Sequence, residues 1–259
     1  MDKEPTFFDF AAEVGLTKHI GGLEATETLM MLCGVGKGKY LLDVGCGVGA
    51  TPCFIAGRYG CRVAGVDINE RMITRSRERT EREKVADRVE FGVADAQDLP
   101  FADAVFDAVI TESVTAFPED QQKAVDEYAR VTKPGGHVGL NESIWWKVPP
   151  PPEVVAWAAQ DIGANVQPLT VDAWKGLLEN AGLQVVATRT YPVDTRIETR
   201  GILQRYGWRG MLRVFWRMML LYGRSPAYRR FVGEVQQGGL VPANLAEFFG
   251  YGLFVGQKS

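Results

Sequence analysis

The chain has 259 residues, 46% of them apolar and 24% charged, which is material for one large α/β domain or two small ones and excludes collagenous, disordered and disulfide-scaffold classes. Its formal charge of −3 supplies no global attraction to nucleic acid or to an anionic membrane, so any such role has to come from a local patch. Four cysteines, Cys33, Cys46, Cys53 and Cys61, lack the C-x-x-C spacing of a zinc site or a redox pair and are expected to be reduced, with no metal bound. The start MDKEPTFFDFAAEV has no basic region followed by a long apolar run, and no segment approaches the ~18 apolar residues of a spanning helix. A cytoplasmic location is expected.

Short Val-, Ile- and Leu-rich runs predict strands at Tyr40 to Val44, Arg62 to Val66, Val89 to Val93, Phe106 to Thr111 and His137 to Asn141. Helical patterns at Ala50 to Tyr59, Glu70 to Glu83 and Asp120 to Val131 alternate with them, the signature of βαβ units around a parallel sheet. Lys133-Pro134-Gly135-Gly136 is expected to stop the third helix and turn the chain into the fifth strand. After Trp145-Trp146, prolines 149 to 152 read as a stiff surface connection. Thr170 then caps a helix that Gly182 ends, followed by a sixth strand from Leu183 to Thr190 and a last one from Gly250 to Gly256. More than fifty residues separate these two strands where a hairpin needs a few. We read one domain with an N-terminal cover (1–36), a core (37–194 and 248–259) and a helical insert (195–247).

The segment LLDVGCGVGA places Gly45, Gly47 and Gly49 directly after a predicted strand and before a predicted helix. Glycine permits a tight turn and lets a ligand approach the amides of a helix N-terminus. Gly45-x-Gly47-x-x-Ala50 also satisfies the dinucleotide fingerprint, with Asp67 at the second strand's end able to hold ribose hydroxyls, so an NAD(P)-dependent oxidoreductase stays open on this pattern alone. Asp43 argues the other way, because a carboxylate before the turn suits a cationic amino-acid group and repels a pyrophosphate. Asp95, closing the third strand, adds a third acid at a strand tip. Such a row makes a poor pyrophosphate cradle and a good cradle for a sulfonium nucleoside.

Taken together, LLDVGCGVGATPCFIA, GVDIN, VEFGVADAQDLPFADAVFDAVI and RVTKPGG resemble the class I S-adenosylmethionine-dependent methyltransferases over residues 38–142, in particular the small-molecule branch with quinone and sterol methyltransferases. The resemblance implies a Rossmann-like seven-stranded sheet of order 3-2-1-4-5-7-6, last strand antiparallel, flanked by helices, with S-adenosylmethionine over the tips of strands one to four. Carried onto this chain, it implies that Asp43, Gly45, Cys46, Gly47 and Gly49 surround the methionine part and that Asp67 takes the ribose hydroxyls. Ile68 would lie on the adenine, Asp95 would accept from its exocyclic amine with Ala96 and Gln97 assisting, and Thr111 would sit under the sulfonium.

Methyl transfer from a sulfonium is an in-line displacement from an activated donor, so alignment and water exclusion matter more than a nucleophilic side chain. A base is needed only where the acceptor carries a proton. Glu112, after the fourth strand, is the favoured acid–base group, with His19 of the cover a second candidate. Ser113, Asn141 and Glu142 should project from the same sheet edge toward the acceptor, whereas His137, at a strand start, reads as structural. Pro52-Cys53 lies in the wrong place for a cytosine-C5 methyltransferase, and Thr111-Glu112-Ser113-Val114 replaces the D/N-P-P-Y type sequence of enzymes that methylate base amines, so a nucleic-acid substrate loses support.

Residues 196–230 carry nine arginines, no lysine and one acid. Arg205, Arg209, Arg213 and Arg217 form one stripe of a helix, opposite Leu212, Phe215, Trp216, Met219 and Leu220. That apolar side has three possible fates. It packs on the domain while the arginines face solvent or pair with the acidic remainder of the chain, it lines a pocket for an apolar acceptor together with Trp145, Trp146 and Trp208, or residues 205–222 lie in a membrane interface beside a lipid-like acceptor.

Overall fold

The computed structural model describes residues 6–161, 168–193, 195–236 and 242–259. Five strands, β1 (Tyr40–Val44), β2 (Arg62–Asp67), β3 (Val89–Val93), β4 (Phe106–Glu112) and β5 (Thr132–Trp145), run parallel in one sheet. A two-residue strand β6 (Leu169–Thr170) pairs with the end of β5, and β7 (Leu183–Pro192) and β8 (Phe249–Lys258) complete the order 3-2-1-4-5-8-7, with β8 antiparallel to both neighbours. With β6 set aside, this is the order the resemblance implies.

Each βα turn has a local cause. Helix α3 (Ala50–Tyr59) starts at left-handed Gly49, and Asn69 caps α4 (Glu70–Glu83) by accepting from Arg71 N at 2.9 Å. Asp120 caps α5 (Gln121–Val131) by accepting from Lys123 N at 2.9 Å. Lys133-Pro134-Gly135-Gly136 corrects one expectation. These residues lie inside β5 as a bulge, because Thr132 already pairs with Phe106 and the ladder resumes at His137 with Ala108.

Side chains alternate across the sheet and divide the core in two. Leu41, Val63, Ile110 and Leu253 pack toward α3 and α2 (Gly22–Leu32), while Leu42, Val109, Leu140 and Trp174 pack toward α5 and α7 (Val171–Asn180). The same alternation carries through to the carboxyl tips. Asp43, Glu112 and Asn141 fall on the α2/α3 face, and Thr111 and Glu142 fall on the α5 face.

Above the tips, α1 (Phe7–Val14) meets α9 (Pro226–Gln236) through Phe10, whose ring lies 5.2 Å from Tyr228 and 5.0 Å from Phe231. Between them runs α8 (Thr195–Arg224), kinked at Gly207 (φ 61°, ψ 170°). Two of the four stripe arginines, Arg205 and Arg217, turn toward the domain, whereas Arg209, Arg213 and most of the apolar side are exposed, so the apolar side is not packed on the domain as one of the three fates has it. Arg205 Nη2 donates to Thr26 Oγ1 at 3.0 Å, and Arg217 Nη2 lies 3.7 Å from the Glu78 carboxylate. Trp208, Phe215 and Trp216 are 68%, 54% and 64% exposed. Beneath the helix, Arg205 shares a cleft with Asp43 and Glu112, while Arg213 and Arg217 share a recess with Glu83, Arg79 and Arg82.

Trp145 packs instead on Phe249, 5.5 Å between rings, beneath α6 (Pro152–Asp161) and α10 (Leu245–Phe248). The Trp146 ring covers Gly250. Neither shares a pocket with Trp208, which is in solvent. Among the described residues no helix is long and apolar enough to cross a membrane.

Candidate active site

The glycine turn takes the backbone through φ values of +72° at Gly45, +54° at Gly47 and +73° at Gly49, a region that costs other L-residues energy. Gly45 N and Cys46 N both donate to Val66 O, at 2.7 and 2.9 Å. Asp67 fastens the turn from the tip of β2: its Oδ2 accepts from Gly47 N and its Oδ1 from Asn69 N, each at 2.9 Å. Ile68 stands exposed on the rim. Asp95 Oδ1 accepts from Gln97 N at 2.9 Å, and Gln97 Oε1 accepts from Asp120 N at 3.0 Å, which ties this loop to the start of α5, while Ala96 packs on the core. Cys46 is buried in the turn, and burial pushes its thiol well up. All four cysteines are free and buried.

Beside the turn lies a small cleft lined by Thr17, His19, Asp43, Gly45, Glu112 and Arg205, among others. Glu112 is its most connected group. Thr26 Oγ1 donates to Glu112 Oε1 and Thr51 Oγ1 to Oε2, both at 2.9 Å, and His19 Nε2 lies 3.3 Å from Oε2. Burial brings His19 down to about 4, against the pull of Glu112 and with the help of Arg205, so its imidazole is neutral at pH 7. Asp43 is pushed well above the carboxylate range, first by burial and then by Glu112 and Asp67, with Arg205 opposing. Among the described residues it accepts no hydrogen bond. Arg205 Nε is buried and equally without a partner. A buried carboxylate and a buried guanidinium edge, both unsatisfied, match a ligand carrying an ammonium and a carboxylate on one carbon. The amino-acid end of S-adenosylmethionine has that pair, so the residues present fit the cofactor.

Two other candidates, together with Tyr206, hold the cover down. Ser113 Oγ accepts from Ile20 N at 3.1 Å and Asn141 Nδ2 donates to Ile20 O at 2.9 Å, while Tyr206 OH bridges Thr17 N and O at 3.0 and 2.9 Å. Thr17 in turn lies where a Cβ on Gly47 would be, 2.9 Å away. On the opposite face, Glu142 Oε1 accepts from Val114 N, Thr115 N and Thr111 Oγ1 at 3.0, 2.7 and 3.2 Å. Thr111 and Glu142 therefore anchor the β4–α5 loop on the far side of the sheet from Glu112. His137 lies four residues before Asn141 along β5, away from the cleft. Sequence reasoning missed Thr26, Thr51 and Tyr206. It saw Arg205 in a stripe, solvated or paired with acidic residues, without singling it out as lining the cleft.

Burial raises Glu142 to about 7 against the pull of the donors on Val114, Thr115 and Thr111. The folded protein then keeps a proton that the unfolded chain loses above its ordinary value of 4.5. Stability from this group is complete below pH 4.5 and is lost as pH rises to about 7, by about 3 kcal/mol at the scale of 1.36 kcal/mol per unit. Urea melts from pH 4.5 to 8 should show this decline in the wild type and not in Glu142→Gln. Parallel profiles would remove the assignment.

Residues 42–140 match the family model described as a methyltransferase domain. An uncharacterised protein of Haemophilus influenzae is 30% identical over 89% of this chain and 92% of its own length. A 27-O-demethylrifamycin SV methyltransferase of Amycolatopsis mediterranei is 33% identical over 61% of this chain, which spans 59% of that relative. In fold, an S-adenosylmethionine-dependent methyltransferase of Geobacter sulfurreducens, solved with S-adenosylhomocysteine, superposes with a TM-score of 0.73 over 99% of each chain at 20% identity. With the sheet order, the glycine turn and the placement of Asp43 and Arg205 beside it already in place, these matches decide against the nicotinamide reading. The chain belongs to the class I S-adenosylmethionine-dependent methyltransferases, and S-adenosylmethionine is its cofactor.

Proposed function

We propose that the chain methylates a hydroxyl or enol oxygen of a small, partly apolar acceptor, with Glu112 and His19 acting as one proton-accepting unit. The observation that carries this is the buried contact of Glu112 Oε2 with His19 Nε2 at 3.3 Å, beside Asp43 in the cleft at the glycine turn. When bound, S-adenosylmethionine supplies a methyl group on a sulfonium already activated for displacement. Asp43 takes its ammonium and Arg205 its carboxylate. Asp67 takes the ribose hydroxyls while continuing to hold the turn, Ile68 covers the adenine, and Asp95 with Gln97 receives its amine. Thr26 and Thr51 orient Glu112, and the neutral imidazole of His19 accepts the acceptor's proton and shares it with that carboxylate. The cover, held by Ser113, Asn141 and Tyr206, excludes water.

The Amycolatopsis relative, a 27-O-demethylrifamycin SV methyltransferase, supports an oxygen acceptor of small-molecule size. A panel of phenols, hydroquinones, enols, thiols and amines, incubated with the protein and S-adenosylmethionine, tests the reading through release of S-adenosylhomocysteine. Turnover should appear with oxygen acceptors. Turnover confined to amines or thiols would overturn the oxygen assignment.

A further inference from the structure

The outer side of α8 remains without a partner among the described residues. Beyond the kink at Gly207, positions 208, 212, 215, 216, 219 and 222 fall on one stripe of the helix, and the residues there, Trp208, Leu212, Phe215, Trp216, Met219 and Tyr222, are all exposed. The stripe is about 21 Å long at 1.5 Å per residue. A continuous run of this kind exceeds the scattered apolar residues of an ordinary soluble surface and marks a contact site.

Charge says what the contact is. Residues 201–230 contain seven arginines and no acid or lysine, in a chain whose total is −3. Arg209, Arg213 and Arg224 are exposed and lie along one flank of the apolar stripe. A twofold pairing of this face with a second copy would bring the arginine flanks together and gain only repulsion. An anionic bilayer offers both complements: hydrocarbon for the stripe and lipid phosphates for the flank. Trp208, Trp216 and Tyr222 suit the interfacial depth, where an apolar ring and a polar edge are both satisfied. No described helix can span a membrane, so the contact lies in the plane of the surface.

We infer that α8 docks the enzyme on anionic lipid through this stripe. The helix is held in that orientation from within, by Arg205 on Thr26, Arg217 beside Glu78 and Tyr206 on Thr17. The docking side is therefore the outer surface of the helix that roofs the cleft, and the inference stands on that exposed face independently of the acceptor reading.

Flotation of the full chain with vesicles provides the test. It should float with phosphatidylcholine containing about a third phosphatidylglycerol and stay behind with phosphatidylcholine alone, since lipid charge adds about 1 kcal/mol per arginine. Phe215→Ser with Trp216→Ser should reduce the bound fraction at least ~10-fold. Arg209→Gln with Arg224→Gln should weaken it several-fold and flatten its salt dependence. Both variants should bind S-adenosylhomocysteine like the wild type, which separates lost docking from lost folding and from failure of the methyl-transfer reading. The inference is overturned by wild type that floats with neither vesicle, by equal flotation with both, or by an apolar double variant that floats undiminished. A solution dimer that Phe215→Ser with Trp216→Ser dissociates would instead assign the face to a second copy.

Discussion

Glu112→Gln is expected to lower kcat by about 10²- to 10⁴-fold, the range for loss of a positioned acid–base group, while S-adenosylhomocysteine affinity changes by less than about threefold. The amide is isosteric and can keep both threonine contacts, Thr26 and Thr51 at 2.9 Å, because hydroxyl hydrogens rotate. What it cannot do is receive the proton that His19 takes up. His19→Gln should show a similar fall, and the double variant should be no slower than the worse single one, since residues that act as a unit are not additive. Calorimetric affinities alongside initial rates settle the matter. Full turnover in Glu112→Gln would leave the carboxylate a merely structural anchor for α2.

Gly45→Ala should destabilise the fold by about 2 to 5 kcal/mol. Left-handed backbone costs a residue with a Cβ about 1 to 2 kcal/mol, and Gly45 sits at φ +72°. A Cβ there would also lie 2.3 Å from Val114 Cγ2, and overpacking of this kind adds about 1 to 3 kcal/mol. Calorimetry should record a melting point lower by about 5 to 15 °C for a chain of this size. Adding Val114→Ala should recover part of the loss, the steric part, and leave the backbone part. A melting point within about a degree of wild type would show that the turn is not held in this conformation.

Much of the fold was legible because the physics of a parallel sheet is local. Val- and Leu-rich runs mark strands buried on both faces, so β1 falls at the residues its composition indicates, and β3, though an edge strand with only Val89 buried, is marked by its Val and Phe residues. Caps are equally local, and Thr170 receives Ala173 N as its place before a helical pattern suggests. The β5 bulge was hidden because Pro134 and Gly135 look like a turn in sequence, and only pairing with β4 shows the ladder resuming beyond them. The glycine turn and the acids at the strand tips were visible as a set. Their division between two faces of the sheet was not, for it depends on register: Glu112 and Asn141 pair directly, so they share a face that Thr111 and Glu142 do not. Thr26 and Thr51 sit mid-helix without a motif and become site residues only when α2 and α3 converge on β4. For α8, amphipathicity alone leaves the sign of the packing undecided. The partners of Arg205 and Arg217, Thr26 and Glu78, lie far away in sequence, and composition, which counts charges without locating them, does not show where they fall.

The fastening of the cover carries a consequence for traffic through the cleft. On the cofactor placement proposed above, an arriving nucleoside would reach Gly47 past Thr17 by breaking the Tyr206 bridge to Thr17 or the two bonds to Ile20, and the spent one would break them again on leaving. Admission and departure are thus tied to a brief local melting of residues 15–21, so the latch that keeps water out also sets a floor on the dwell time of whatever it encloses.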